Sequence, residues 1–171
     1  MKSKIRTIPD FPKQGIMFRD LTTLLSDPEG LAAVVTSFVD KLSGMDVDFI
    51  AGIESRGFII AGCLGAVMNK GIVLIRKPGK LPGKTAACSY ELEYGTDTLE
   101  IHEDAFPEDA NIVLVDDLVA TGGTMEAACK LIEKIGGKIV QILFIIDLPD
   151  LKGTEKIKDY PCYWLTEFEG E

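Results

Sequence analysis

The residues with the clearest chemical potential lie in the stretch VLVDDLVATGGTM, residues 113 to 125. An apolar run ends there in two adjacent carboxylates, Asp116 and Asp117, and continues into a turn that contains two glycines and two threonines. A buried strand disfavours paired charges, and a helix interior disfavours paired glycines. Their coincidence at one strand-to-helix junction indicates a binding site.

The turn after the carboxylates predicts a phosphate site, and it consists of Ala120, Thr121, Gly122, Gly123 and Thr124. Small residues let backbone N–H groups approach an anion, and the N-terminus of the following helix adds about half a positive charge. The carboxylates would repel a bare polyphosphate, but they accept hydrogen bonds from hydroxyl groups. A ligand with a phosphate at one end and a vicinal diol nearby, such as ribose 5-phosphate, satisfies both features.

Two common nucleotide motifs are missing from this turn. It lacks the GxxxxGK[ST] pattern of a P-loop, and it lacks the GxGxxG fingerprint of dinucleotide-binding proteins. A structural alternative is that the two acids cap a turn that the glycines merely permit. The combination of paired acids with the sequence TGGT favours the functional interpretation.

The composition predicts one soluble globular domain of 171 residues. The chain has 27 acidic and 18 basic residues and a net charge of −9, which disfavours nucleic acid or an anionic membrane as a partner. The four cysteines form no CxxC pair and His102 is the one histidine, so reduced structural thiols are more plausible than a zinc site. The N-terminus lacks the apolar core of a signal peptide, and a cytoplasmic location is the default expectation.

Buried strand patterns alternate with helical patterns along the chain, which predicts an α/β fold. We expect a mostly parallel central sheet with helices on both faces. Strands are predicted over 48–53, 71–77, 112–117 and 138–146, and helices from Pro28 (capped by Asp27), over 58–69 and over 124–135. Residues 89–94 and 97–102 alternate as in a β-hairpin. The loops after Ile53, Arg76 and Asp116 should face one crevice, with the hairpin as a flap beside it.

The stretch VLVDDLVATGGTM resembles the phosphoribosyl pyrophosphate signature of the type I phosphoribosyltransferases: four apolar residues, two acids, two further residues, then ATGGT. The resemblance extends in family order through PDFPKQGIMFRD (9–20), AGIESRGF (51–58), RKPGKLPG (76–83), LEYG (92–95) and IIDLPDLKG (145–153). It implies a single domain over 1–171 with that family's fold. Residues 1–26 would form a small base-binding hood, and residues 77–102 a flexible lid and hairpin flap.

The same segments are most similar to the adenine-using members of the family. The implied reaction is transfer of ribose 5-phosphate from phosphoribosyl pyrophosphate to adenine, which gives AMP and pyrophosphate, requires Mg²⁺ and belongs to purine salvage. The resemblance also implies a homodimer. Two rivals stay open: a phosphoribosyltransferase of the same fold for another base, and a non-catalytic regulator that senses phosphoribosyl pyrophosphate.

The resemblance implies roles for the groups around the sugar and the leaving group. Asp116 and Asp117 would hold the ribose hydroxyls, directly or through Mg²⁺, and residues 120–124 would hold the 5′-phosphate. Pyrophosphate would meet Arg56 and the loop that contains it, which consists of Glu54, Ser55, Arg56 and Gly57. The resemblance raises a non-proline cis bond between Glu54 and Ser55 as one alternative and leaves open whether that peptide is cis or trans. The basic segment after the next strand would be a lid over pyrophosphate that contributes Arg76, Lys77 and Lys80, although such segments are often only solvated.

Glu93 matches the family's general acid/base, which would exchange a proton with the imidazole side of adenine, and Tyr94 would shape the closed site. Without the resemblance, Glu93 is equally explained as an exposed hairpin acid. For the base, the resemblance implies stacking between Phe18 and Leu148, with backbone groups of Met17 and Arg19 at the adenine edge. Phe18 is equally plausible as a core residue.

Overall fold

The computed structural model describes residues 1–91 and 95–170. The strands of this part of the chain are β1 (Arg6–Pro9), β2 (Met17–Asp20), β3 (Phe49–Ile53), β4 (Gly71–Ile75), β5 (Thr85–Glu91), β6 (Thr96–His102), β7 (Asn111–Val119), β8 (Lys138–Asp147) and β9 (Cys162–Glu167). Its α-helices are α1 (Thr22–Leu25), α2 (Pro28–Leu42), α3 (Arg56–Met68) and α4 (Gly123–Lys134). None of the described helices is both long and apolar enough to cross a membrane.

The central sheet has five parallel strands in the order β4-β3-β7-β8-β9. Two antiparallel hairpins, β1-β2 and β5-β6, lie beside it. Because all five central strands run the same way, their carboxyl ends meet at one edge of the sheet. The loops that follow β3, β4 and β7 therefore share that edge, where open α/β sheets bind ligands.

Successive residues of the central strands enter two separate cores, as the pleat of a strand requires. Along β7, Ile112 and Leu114 pack in the core that contains α4 and the β5-β6 hairpin. Val113 and Val115 pack in the core that contains α2 and α3. All four side chains are fully buried. The predicted parallel sheet with helices on both faces is confirmed.

The predicted start of α2 is confirmed, although the predicted cap is not. The helix begins at Pro28 directly after Asp27, but the Asp27 carboxylate makes no capping hydrogen bond. It forms an ion pair with Lys4 instead. A neighbouring ammonium group provides a stronger partner for a carboxylate than a backbone N–H group does.

Several boundaries differ from those predicted. Helix α3 begins at Arg56, two residues before the predicted start, so Arg56 and Gly57 belong to its first turn. Strand β7 continues through both aspartates to Val119. The predicted hairpin is confirmed, with β5 starting at Thr85 and pairing with His102 of β6. The β1-β2 hairpin was not predicted, because its short strands interleave polar residues and proline with apolar ones. Strand β9 was not predicted either.

Candidate active site

A cavity of about 340 Å³ lies at the carboxyl edge of the sheet. The loops after β3, β4 and β7 contribute to its wall, as expected, and the β5-β6 hairpin closes one side. The predicted functional residues that line it are Glu54, Arg56, Lys77, Asp116, Asp117, Ala120, Thr121, Gly122, Gly123 and Thr124. The structure therefore brings the paired carboxylates, the phosphate turn and two of the predicted cations together in one space.

The two carboxylates are buried at the end of β7, where Asp116 is 8% exposed and Asp117 is 5% exposed. Asp116 Oδ1 accepts a hydrogen bond of 2.8 Å from the backbone N–H of Asp117. Burial, and next the neighbouring charge of Asp117, raise the pKa of Asp116 well above its usual range. Burial also raises the pKa of Asp117, and the positive charge of Arg56 opposes that rise. Such a pair is unfavourable in the ligand-free fold, which is typical of a functional site.

Arg56, in the first turn of α3, forms an ion pair with Asp117 Oδ2. The contact falls outside the geometry of a regular hydrogen bond. A carboxylate has about four lone-pair sites, so an ion pair with one guanidinium group leaves room for further donors. The hydroxyl group of a sugar is a suitable donor for Asp117.

The turn between β7 and α4 has the shape that an anion site needs. Gly122 has φ +79°, a left-handed conformation that glycine adopts without strain, and α4 begins at the next residue. The first N–H groups of a helix have no intrahelical acceptor, so those of α4 are available to a phosphate. Thr124 adds a hydroxyl group, which donates to Tyr90 Oη at 3.2 Å.

Gly153, which follows β8, fixes the position of this turn. A Cβ atom on Gly153 would lie 2.1 Å from the carbonyl oxygen of Ala120, and one on Gly122 would lie 2.2 Å from the carbonyl oxygen of Gly153. Two backbones approach this closely only where both residues lack side chains. Sequence reasoning included Gly153 in the segment 145–153 without a role. The one sequence signal for such a contact is that Gly153 lies outside the helical and strand patterns.

The segment after β4 begins with two cations that are held by carboxylates. Arg76 Nε lies 3.3 Å from Glu54 Oε1, and the same oxygen accepts a hydrogen bond of 2.7 Å from the backbone N–H of Lys77. Lys77 Nζ donates to Asp97 Oδ2 of β6 at 2.7 Å. Arg76 also donates from Nη1 to the carbonyl oxygen of Lys80 at 3.4 Å, which folds the segment back on itself.

The peptide bond between Glu54 and Ser55, for which the sequence left cis and trans open, is trans in this structure. In the described residues, the one cis peptide bond joins Phe11 to Pro12. A non-proline cis bond costs about 3–4 kcal/mol, and the turn from β3 into α3 forms with the ordinary trans bond. Ser55 directly precedes α3 with φ −92° and ψ −27°.

The residues expected to bind the base are not part of the wall of this cavity, although the backbone N–H of Leu148 donates to the carbonyl oxygen of Val119 in that wall at 3.2 Å. Met17, Phe18 and Arg19 form β2, and Leu148 follows β8. Phe18 packs edge-to-face on Phe11 with ring centroids 5.0 Å apart. Among the described residues, the wall of the cavity includes none of the four, and it also lacks Ser55, Gly57, Arg76 and Lys80. Glu93 and Tyr94, the expected catalytic pair, lie outside the described residues.

Two further residues of the wall, Tyr90 and Asp97, were missed by sequence reasoning. They face each other across the β5-β6 hairpin, in register, and Tyr90 Oη donates to Asp97 Oδ2 at 3.4 Å. The alternation of the two strands places these residues together only when the pairing register is known.

Comparisons with known proteins agree with this geometry. Residues 23–169 match the phosphoribosyl transferase domain family, so the chain belongs to that family. Adenine phosphoribosyltransferase of Chlorobium limicola is 53% identical over 175 residues, covering 100% of this chain and 99% of the relative. The crystal structure of adenine phosphoribosyltransferase from Thermoanaerobacter pseudethanolicus has a TM-score of 0.94 and 46% identity, covering 98% of this chain and 97% of that one.

A third similar protein was crystallised with ligands. Adenine phosphoribosyltransferase from Saccharomyces cerevisiae, complexed with an imino-altritol bisphosphate and adenine, has a TM-score of 0.92 and 34% identity. The match covers 96% of this chain and 96% of that one. The fold expected of a type I phosphoribosyltransferase is confirmed.

Proposed function

We propose that this chain transfers ribose 5-phosphate from phosphoribosyl pyrophosphate to adenine, giving AMP and pyrophosphate, as in purine salvage. The main observation behind this proposal is that a buried carboxylate pair and a glycine-rich helix N-terminus line the same cavity. Phosphoribosyl pyrophosphate carries both a vicinal diol and a 5′-phosphate, the two groups that these features are suited to bind. Relatives named adenine phosphoribosyltransferase match this chain over almost their full length, and they support the choice of adenine as the base.

In the proposed reaction, the bond from the anomeric carbon to pyrophosphate breaks and its electron pair leaves with pyrophosphate. A ring nitrogen of adenine then forms the new bond to that carbon and loses its proton. The sugar is cation-like between the two events, so the charges of Asp116 and Asp117 stabilise it. Arg56 and Lys77 neutralise the leaving group, while the turn at 120–124 anchors the 5′-phosphate.

We propose that Mg²⁺ takes part as the resemblance implies. Among the described residues, no group of three or more His, Cys, Asp or Glu side chains could hold a metal ion. Mg²⁺ is commonly bound by one or two carboxylates together with substrate phosphates and water, and Asp116 and Asp117 fit that requirement. When bound, the ion would neutralise charge on the leaving pyrophosphate.

Adenine would lie between Phe18 and Leu148, with backbone groups of Met17 and Arg19 at its edge, and Glu93 would move the proton with Tyr94 beside it. Residues 1–26 would serve as the hood and 77–102 as lid and flap. We propose a homodimer on the same resemblance, and a cytoplasmic location as the default expectation.

The choice of base is tested by mixing the protein with phosphoribosyl pyrophosphate, Mg²⁺ and one base at a time. We expect pyrophosphate release with adenine and not with guanine, hypoxanthine, xanthine or orotate. Release with another base in place of adenine would reassign the substrate. Binding of phosphoribosyl pyrophosphate without release for any base would favour the non-catalytic regulator.

Replacing Glu93 by glutamine tests the proton transfer. The amide keeps the size of the side chain but cannot take up the adenine proton, so we expect turnover to fall about 10²–10⁴-fold. The dissociation constant for phosphoribosyl pyrophosphate, measured by calorimetry, should change less than the turnover does. Glu91→Gln on the same hairpin is the matched control and should leave turnover near normal. Equal turnover in Glu93→Gln and the unmodified protein would remove the acid/base role.

A further inference from the structure

The cations that line the cavity are already occupied by carboxylates before any ligand binds. Among the described residues, these cations are Arg56, which contacts Asp117, and Lys77, which donates to Asp97 Oδ2 at 2.7 Å. A site for a strongly anionic substrate is therefore neutralised in advance. Phosphoribosyl pyrophosphate therefore meets cations that already have carboxylate partners.

Asp97 is held firmly in this position by groups other than Lys77. Its Oδ1 accepts a hydrogen bond of 2.8 Å from the backbone N–H of Thr98, and Tyr90 Oη approaches its Oδ2 at 3.4 Å. The hydrogen bond from Lys77 lowers the pKa of Asp97, and the same bond raises the pKa of Lys77. Both groups are charged at neutral pH, and their side chains are 21% and 57% exposed.

The carboxylates of the two ion pairs differ in their roles in the proposed reaction. Asp117 has a further use in the proposed reaction, since it faces the sugar. Asp97 lies on the β5-β6 hairpin and has no such assignment. If Lys77 turns to pyrophosphate, the Asp97 carboxylate stays in the wall of the same cavity without another ion-pair partner among the described residues, and it faces an anion.

We propose that Asp97 is a positioning residue that holds Lys77 in the ligand-free site and competes with pyrophosphate for it. This inference rests on the proposed function and deepens it. Asp97 would weaken the binding of pyrophosphate and of phosphoribosyl pyrophosphate, and it would speed the departure of pyrophosphate after transfer. The opposite possibility, that Asp97 orients Lys77 productively, predicts weaker binding when Asp97 is removed.

Tyr90 extends the arrangement to the other end of the ligand. Its hydroxyl group accepts from Thr124 of the phosphate turn at 3.2 Å and donates to Asp97 at 3.4 Å. The 5′-phosphate site and the Lys77 site are therefore connected through a single side chain. If a 5′-phosphate accepted the hydrogen bond from the Thr124 hydroxyl group, Tyr90 Oη would lose that donor. Tyr90 could then keep its hydrogen bond to Asp97 when Asp97 moves.

The test uses Asp97→Asn, which keeps the size of the side chain and removes its charge. Calorimetric titration with sodium pyrophosphate, with and without Mg²⁺, should give a dissociation constant lower by roughly threefold to tenfold, the range of a partly exposed ion pair near a multiply charged anion. The KM for phosphoribosyl pyrophosphate should fall, and stopped-flow measurement should show slower pyrophosphate release. AMP, which lacks pyrophosphate, should gain less affinity.

Asp109→Asn is the matched control, because Asp109 pairs with Lys138 at 2.8 Å before the start of β7, at the sheet end opposite the cavity. It removes the same charge and should leave pyrophosphate affinity unchanged. Thermal melting checks that each variant is folded, and Asp97→Ser gives the same readout should the asparagine variant unfold.

Weaker or unchanged pyrophosphate binding in Asp97→Asn would overturn the inference, as would an equal gain in affinity for AMP. If the unmodified protein bound neither pyrophosphate nor phosphoribosyl pyrophosphate, the proposed function would fail and the inference with it. Tight binding in the unmodified protein, with no gain in the variant, would overturn the inference alone.

Discussion

Asp116→Asn is expected to lower turnover by about 10²–10³-fold, because it removes a preorganised negative charge from beside a cation-like sugar. The same change should make the ligand-free protein more stable. Asp116 is 8% exposed, and burial raises its pKa, so its ionised form opposes folding. Asparagine can keep the hydrogen bond from the Asp117 N–H group without the charge. The charge of Asp116 therefore lowers the stability of the ligand-free protein and is retained because the proposed reaction requires it.

The pH dependence follows from the direction of that pKa shift. In the folded state the pKa of Asp116 lies above its value in the unfolded chain, which is about 3.9. The free energy of unfolding therefore falls as pH rises through the interval between the two values, and it levels off above the folded-state pKa. The gain in melting temperature of Asp116→Asn over the unmodified protein should be small near pH 4 and largest above that interval.

Asp147→Asn is the matched control for this prediction. Asp147 ends the neighbouring strand β8, is 3% exposed, and has a pKa raised by burial and then by the charge of Glu167. Its replacement should also raise the melting temperature, while the affinity for phosphoribosyl pyrophosphate stays unchanged. If Asp116→Asn bound that substrate as tightly as the unmodified protein and turned over at the same rate, the diol assignment would be wrong.

The phosphate turn and the carboxylate pair were predictable because their signal is local. Charges at the end of an apolar run and glycines at the start of a helical run are read directly from neighbouring residues. The parallel sheet was predictable for a similar reason, since buried strands and helices alternate with clear periods. Strand β9 was not, because residues 162–167 are only partly buried at the edge of the sheet and carry no clean alternation.

The connections between distant segments were not predictable in the same way. The pairing of Lys77 with Asp97 depends on the register of a hairpin and on the path of the chain after β4. A family resemblance supplied roles for Phe18 and Leu148, and these residues lie outside the wall of the cavity in this structure.

Gly153→Ala is expected to abolish binding of the 5′-phosphate, although Gly153 lies outside both the carboxylate pair and the turn. The added Cβ atom would lie 2.1 Å from the carbonyl oxygen of Ala120 and 2.8 Å from the backbone nitrogen of Gly122. Both contacts are with backbone, so no side chain can move aside and the turn itself must shift. Overpacking of this kind typically costs about 1–3 kcal/mol of stability.

The measurements are the affinity for AMP by calorimetry and the melting temperature. We expect AMP affinity to fall at least about 10²-fold, since displaced donors lose their alignment with the phosphate. Gly62→Ala is the matched control. Gly62 lies within α3, and a Cβ atom there would meet no atom within 4 Å beyond its own helix and chain neighbours. Alanine at a helix interior stabilises by about 0.5–1 kcal/mol relative to glycine.

The two alanine variants therefore distinguish the effect of the Cβ contact at residue 153 from the general effect of replacing a glycine by alanine. Gly62→Ala should melt at a higher temperature with AMP affinity intact, and Gly153→Ala should do the reverse. A Gly153→Ala protein that binds AMP normally would mean that the turn tolerates displacement, and that Gly122 and the N-terminus of α4 hold the phosphate without support from the segment after β8. A loss of stability with full AMP affinity would assign Gly153 to packing alone.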